Sequence, residues 1–492
     1  MIRRNALLTV GMLALSACSL APATDLPPPP VPRSWPAGDA YLAQAEATLP
    51  ILSYRDVFTD PRLRQLVETA LVNNRDLDIA AANLAAARAQ VRVNRSAQLP
   101  QIGVTGGADV SSGGSGSFQN GAGPVAGTGS SDTRTIYTIR GGVTSFELDL
   151  FGRLANATQA QRERALATEA AARTVRLGLV ADLASAWATY AADRDLLAIA
   201  QATADNARES VRLTRMRLEG GIAPRTDLTQ AQQVLASAEL AIAAQVTALA
   251  QDRNLLRLLV GAEFDDALLP DGLEEIAETY EVLPAGLNSR ILLRRPDVIQ
   301  AEYELRAANA DIGVARAALF PSLSLTGLLG VASTALGDLF TGDAFSWSVG
   351  ADAGYAIFDA GGRRANVAVS EAQRDAAHAA YERAIQLAFR ETADALADQG
   401  TLGRRDDAAR ENATAAATSA RLIEARYRNG IDSFLDSLVA QRSLFAARQQ
   451  LVTIRLASLL NRVTLYRVLG GDQATVIADS VQDAEGPRSN EP

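Results

Sequence analysis

The sequence predicts a mainly α-helical chain with a transmembrane β part, built twice over by internal duplication. Three observations carry this. First, residues 153–218 hold no proline and one glycine, Gly178, and are dominated by Ala, Leu, Arg and Glu, all good helix formers. Second, segments of about ten residues between the helical runs alternate apolar with small or polar residues, the pattern of a membrane β-strand. Third, the same plan recurs about 210 residues later.

The long run is the organising element. Leu177, Val180, Ala184, Trp187 and Ala191 recur at helical spacing, and Leu179, Leu183, Ala186 and Tyr190 form a second stripe. At 1.5 Å per residue such a helix is about 100 Å long. Globular helices average about 11–12 residues, so this one needs other long helices beside it.

The duplication is read from matched strings. Asp149-Leu-Phe-Gly-Arg153 matches Asp359-Ala-Gly-Gly-Arg363 at an offset of 210. Gly221-Ile222 matches Gly430-Ile431 at 209, and Leu99-Pro100 matches Phe320-Pro321 at 221. The first repeat, 62–261, reads as a helix at 62–97, a hairpin at 99–151, the long helix 153–218 and a helix at 226–259. The second, 289–470, reads as a helix at 289–318, a hairpin at 320–358, a long helix at 364–428 and a helix at 433–468. In each repeat the two shorter helices together match the long one, the geometry of a wall of alternating continuous and spliced columns. Residues 262–288 connect the repeats and 471–492 form a tail.

Composition excludes several functions. The formal net charge is −9, with all basic side chains arginine, so no nucleic-acid partner is indicated. A single cysteine excludes an internal disulfide. One histidine, His378, and three methionines argue against a metal site, and no catalytic set or cofactor-binding motif is visible. The chain is not expected to be an enzyme.

The N-terminus reads as an address. Residues 1–17 combine Arg3 and Arg4 with an apolar centre too short to span a bilayer, as a secretory signal does. Leu15-Ser-Ala-Cys18 resembles the bacterial lipobox, which implies lipid attachment at Cys18 and, with Ser19 following, delivery to the outer membrane. Residues 18–61 are then a lipid anchor and proline-rich spacer.

In the hairpins, Ile102 to Val110, Tyr137 to Val143 and Phe345 to Tyr355 alternate clearly. A strand starting at Leu323 and Leu325 loses its pattern after Gly327. Tyr137, Phe345, Trp347 and Tyr355 suit an interfacial girdle. Residues 112–132 read as a Gly/Ser-rich surface loop. Four strands cannot close a membrane barrel, and open edges are not tolerated in lipid. Two, three or four copies would supply 8, 12 or 16 strands.

The strings Arg295-Pro-Asp-Val, Leu305 to Gly327, Phe358-Asp-Ala-Gly-Gly-Arg363, Tyr427-Arg-Asn-Gly-Ile431 and Ala440-Gln-Arg442 closely resemble the lipoprotein branch of the TolC-type outer-membrane efflux channels, the OprM-like or NodT group. The resemblance covers about residues 18–472. It implies a homotrimer with a 12-stranded barrel, four strands per chain, continued by a helical periplasmic tunnel. It also implies partnership with a periplasmic adaptor (membrane fusion protein) and an inner-membrane transporter of the resistance-nodulation-division (RND) type. Such a chain is a passive exit duct for drugs or other toxic compounds. The alternative is a lipid-anchored helical scaffold without a conducting pore.

Function is expected at two turns, 219–224 and 428–432. Gly220, Gly221, Ile222, Asn429, Gly430 and Ile431 are the candidate adaptor contacts. Asp432 and Asp436, four apart and expected to share a helix face, are candidates for a charged ring at a periplasmic gate. By the resemblance Leu435 is a constriction residue, and Tyr427 and Arg442 are inter-helix locks. The acidic position usual in the family is Val439 here, so Asp432 or Asp436 would take its part.

Overall fold

The computed structural model describes residues 20–22, 31, 34–36, 38–41, 53–112, 133–283 and 289–471. Cys18, the signal segment and the 113–132 loop lie outside them. The helices are α1 (Tyr54–Val57), α2 (Pro61–Asn73), α3 (Arg75–Ser96), α4 (Arg153–Glu219), α5 (Arg225–Val260), α6 (Leu273–Ile276), α7 (Pro296–Ala317), α8 (Gly362–Arg428) and α9 (Phe434–Val468). The strands are β1 (Ile102–Ser112), β2 (Thr133–Leu148), β3 (Ser322–Ser333) and β4 (Phe345–Gly354).

The long helices form where propensity and pattern demand them. Both α4 and α8 run for 67 residues without a break. The two expected stripes of α4 are its buried side: Val180, Leu183, Ala184, Trp187 and Ala191 are at most 1% exposed. Side chains the size of Val180 and Leu183 each contribute about 1.5–3 kcal/mol by leaving water.

Two expected helices are broken. The run 62–97 divides at Asn74, whose backbone is extended (ψ 131°) and closes α2. Its side chain explains the break. Oδ1 accepts from the Asp76 amide at 2.9 Å, and Nδ2 donates to the Leu259 carbonyl at 2.9 Å. Asn74 thus caps α3 and ties the break to the end of α5. That end is Gly261, in the left-handed region (φ 71°), where a Cβ would lie 2.4 Å from the Asn73 carbonyl oxygen. The run 289–318 divides likewise into a 3-10 turn, Ser289–Arg294, and α7, with Pro296 at the first helical position.

The chain forms two compact units that do not follow the repeats; each contains part of both. The first, within Met1–Leu26, Ala85–Ala167 and Glu302–Ala379, holds the sheet. Its order is β1-β2-β3-β4, antiparallel throughout. A bulge in β2 between Val143 and Phe146 shifts its register on β3. β3 continues to Ser333 despite its weak alternation, because both its edges are paired. At the foot of the sheet Phe151 stacks on Phe320 (4.6 Å between centroids), and Arg153 is paired with Glu147.

The second unit, within Pro27–Leu84, Thr168–Ala301 and Ala380–Pro492, holds an aromatic core. Phe58 packs edge-on against Tyr280 and Tyr466, each 5.3 Å away. The 262–283 connection is fastened to α4: Trp187 Nε1 donates to the Leu268 carbonyl at 2.9 Å, Tyr280 Oη to the Ala184 carbonyl at 2.8 Å. Asp195 accepts from the Leu273 amide at 3.0 Å.

Candidate functional site

The two turns named from the sequence lie side by side in the second unit. Each ends a long helix in the same way. After α4, the Ile222 amide donates to the Arg217 carbonyl (2.9 Å) and Gly221 to Leu218 (3.0 Å). After α8, Ile431 donates to Arg426 (2.9 Å) and Gly430 to Tyr427 (3.0 Å). These are paired Schellman motifs, which require a left-handed residue; Gly221 and Gly430 both have φ 75°.

A small apolar cluster joins the turns. Val211, Ala231 and Phe434 are buried, with Leu228, Leu235 and Tyr427 packed against them. The Tyr427 ring lies 5.6 Å from that of Phe434, and the Arg217 guanidinium sits 4.7 Å over it. Tyr427 is therefore held between the ends of α4 and α9. By contrast Ile222 and Ile431 are 77% and 63% exposed, although a Schellman motif commonly buries that position against its own helix.

The two candidate aspartates do different work. Asp432 does not share a helix face with Asp436, because α9 begins at Phe434 after its N-cap, Ser433. Asp432 instead forms a two-pronged ion pair with Arg426, at 2.8 and 2.9 Å. That hydrogen-bonded partner lowers the Asp432 carboxyl below the usual aspartate range. Asp436 is the third residue of a capping box: it accepts from the Ser433 hydroxyl at 2.6 Å and the Ser433 amide at 3.2 Å, while its own amide donates to Ser433 Oγ. The Ser433-x-x-Asp436 spacing carried this signal. Leu435 and Val439, one turn apart on α9, are 55% and 54% exposed. Arg442 lines a cavity of about 360 Å³ between α4, α5 and α9, with Thr203, Gln233, Gln441 and Phe445. Asn429 Nδ2 donates to the Ala425 carbonyl at 2.7 Å.

Sequence reasoning missed a carboxylate pair. Asp193 of α4 and Asp252 of α5 lie close enough for each carboxyl group to shift the other's ionisation. Burial and the neighbouring charge push Asp252 up to about 7, and burial raises Asp193. Nothing in their spacing, 59 residues, announces the contact. Among the described residues no group of His, Cys, Asp and Glu is arranged to hold a metal.

A model of the outer membrane efflux protein family matches residues 66–262 and 287–471. The chain is 41% identical over 466 residues to the probable efflux pump outer membrane protein TtgC of Pseudomonas putida, covering 94% of each. It is 37% identical to the outer membrane protein OprJ of Pseudomonas aeruginosa over 93% of this chain and 94% of that one. The open-state MtrE outer membrane channel of Neisseria gonorrhoeae superimposes with a TM-score of 0.80 at 30% identity, over 92% of this chain and 98% of that chain.

Proposed function

The chain belongs to the outer membrane efflux protein family, and from that premise we propose how its own residues serve the duct of a tripartite efflux system. The single observation that carries the reading is the open four-stranded sheet. Its outer strands present unpaired edges, which lipid does not tolerate, so copies of the chain must close it. Three copies give twelve strands, and α4 and α8, each about 100 Å long, line the way below.

The exposed Ile222 and Ile431, beside Gly220, Gly221, Asn429 and Gly430, are the surface offered to a periplasmic adaptor, which links the duct to an inner-membrane RND transporter. The constriction is carried by Leu435 and Val439, repeated around the three-fold axis as apolar rings. Asp432 acts as a latch: its ion pair with Arg426 holds the last turn of α8 against the start of α9. Tyr427 supports the latch from behind, and Arg442 lines the cavity above it. Cys18 carries the lipid that anchors each chain.

One planar-bilayer experiment tests both levels. Purified trimer conducts ions with low basal conductance, and Asp432→Asn raises it several-fold by releasing Arg426. A correctly assembled trimer that never conducts establishes the scaffold reading instead. Unchanged conductance in Asp432→Asn removes the latch but leaves the duct.

A further inference from the structure

The free edges of the sheet are β1 and β4, and the internal repeat assigns the register in which they meet. The offsets read from the helix-flanking motifs are 221 for β1 onto β3 and 210 for β2 onto β4. They can be checked within the chain. Ile102 pairs with Val143, which transposes to Leu323 with Ala353; Val110 pairs with Thr135, which transposes to Val331 with Phe345. Both transposed pairs are the observed ones. The two hairpins are therefore equivalent rung by rung.

The β2–β3 ladder has no counterpart within the chain. Its transposed partners are β4 and β1 of a second copy. We infer that β4 pairs antiparallel with β1 of the partner subunit in the transposed register. Trp347 then stands opposite Ser112 of the partner subunit, Val349 opposite Val110 of the partner subunit, and Ala353 opposite Gly106 of the partner subunit. The β2 bulge at 144–145 transposes to Gly354–Tyr355. Beyond it, Ala356 meets Val104 of the partner subunit and Phe358 meets Ile102 of the partner subunit.

Three further observations fit this seam. β2 runs for 16 residues but β4 for only 10. The positions equivalent to Phe146–Leu148, which are strand because Leu323–Leu325 pair with them, are 356–358, left without a partner in the protomer. The seam lengthens β4 through Phe358. It also covers apolar surface: Ile102, Val104, Val349 and Phe358 are between 76% and 87% exposed in the protomer. On the rung where Gly330 stands opposite Arg140, the seam sets Gly350 opposite Asp109 of the partner subunit, again a small residue facing a charged one.

The inference rests on the barrel being closed by copies of this chain. Its test is disulfide trapping in the full-length protein, whose sole native cysteine is Cys18. The in-register variants are Ser348→Cys with Ser111→Cys, and Val349→Cys with Val110→Cys. Adjacent antiparallel rungs alternate between close and wide spacing, so at least one lies within disulfide reach. The slipped controls are Ser348→Cys with Asp109→Cys, and Val349→Cys with Ala108→Cys. Within one protomer the two cysteines sit three strand spacings apart, about 14 Å, too far to join.

Mild oxidation is expected to give reducible covalent dimers and trimers at least 10-fold faster from an in-register pair than from either slipped one. Equal or faster trapping of a slipped pair overturns the register. So does the lack of any trapping while native mass spectrometry shows a trimer. Absence of a trimer in the wild-type protein defeats the closed barrel itself, which separates the two failures. For the lengthened strand, Phe358→Cys with Ile102→Cys is expected to trap as well; failure there, with the upper rungs trapped, removes the extension.

Discussion

At the scale of single residues, the second unit spends its charged groups on positioning helices. Arg295 is 7% exposed and holds Asp297 and Glu391 at 2.8 Å each. Its Arg-Pro-Asp-Val string was conspicuous in the sequence, but only the fold shows why a buried arginine stands there: it joins the start of α7 to α8. The Asp193–Asp252 pair works the other way. Two neighbouring, half-buried carboxyl groups cannot both ionise cheaply, so the pair titrates as a unit. An unfolded aspartate releases its proton near 3.9, whereas Asp252 holds its own to about 7. Between these values the folded state binds more protons, so stability falls as pH rises through that window. Asp252→Asn removes the term. The expected outcome is a midpoint of thermal unfolding that declines less between pH 5 and 8 in the variant than in wild type, followed by circular dichroism of the detergent-solubilised trimer. Identical slopes would show that the pair does not control this range.

At the scale of elements, the glycines of the first turn make a controlled comparison. Gly221 has φ 75° and open space around its missing Cβ, so alanine there meets no neighbour but strains the backbone by about 1–2 kcal/mol. Gly220 has an ordinary φ, and a Cβ there makes only van der Waals contact with the Met216 carbonyl oxygen at 3.4 Å; its repeat equivalent is Asn429. Gly221→Ala is expected to speed amide exchange in the turn and the end of α4 about 5- to 30-fold, while Gly220→Ala leaves it unchanged, as read by hydrogen–deuterium exchange. Equal effects from both would mean that packing, not backbone conformation, dictates the turn. Legibility followed the same division. Helices α4 and α8 and both turns were readable because propensity, apolar spacing and glycine act locally. The break at Asn74 was not, because the carbonyl that its side chain satisfies belongs to Leu259, 185 residues away. The helix-face reading of Asp432 and Asp436 failed for a local reason: Ser433 and Asp436 form a capping box, which starts the helix one residue after Ser433 and leaves Asp432 outside it.

At the scale of the whole molecule, the proposed function gives the chain two holds on the membrane, of different strength. One is the sheet, whose apolar face becomes a continuous belt once twelve strands close and every backbone group is paired. The other is the lipid proposed at Cys18, whose acyl chains add affinity in proportion to the buried methylenes. A closed barrel cannot leave the bilayer without exposing that belt, so the lipid is dispensable for residence once assembly is complete. We propose that its use comes earlier, when an unassembled protomer with open edges has to be kept at the membrane surface near its partners. A variant exported through a non-lipoprotein signal, with Cys18→Ser, is therefore expected to lose incorporation of labelled palmitate. It still appears as trimer in the outer-membrane fraction, but forms that trimer more slowly in a pulse-chase. If the variant instead stays soluble in the periplasm as trimer, the barrel is not the membrane-spanning part. If wild type takes up no label, Cys18 is not the attachment site, and the protomers reach the bilayer by the sheet alone.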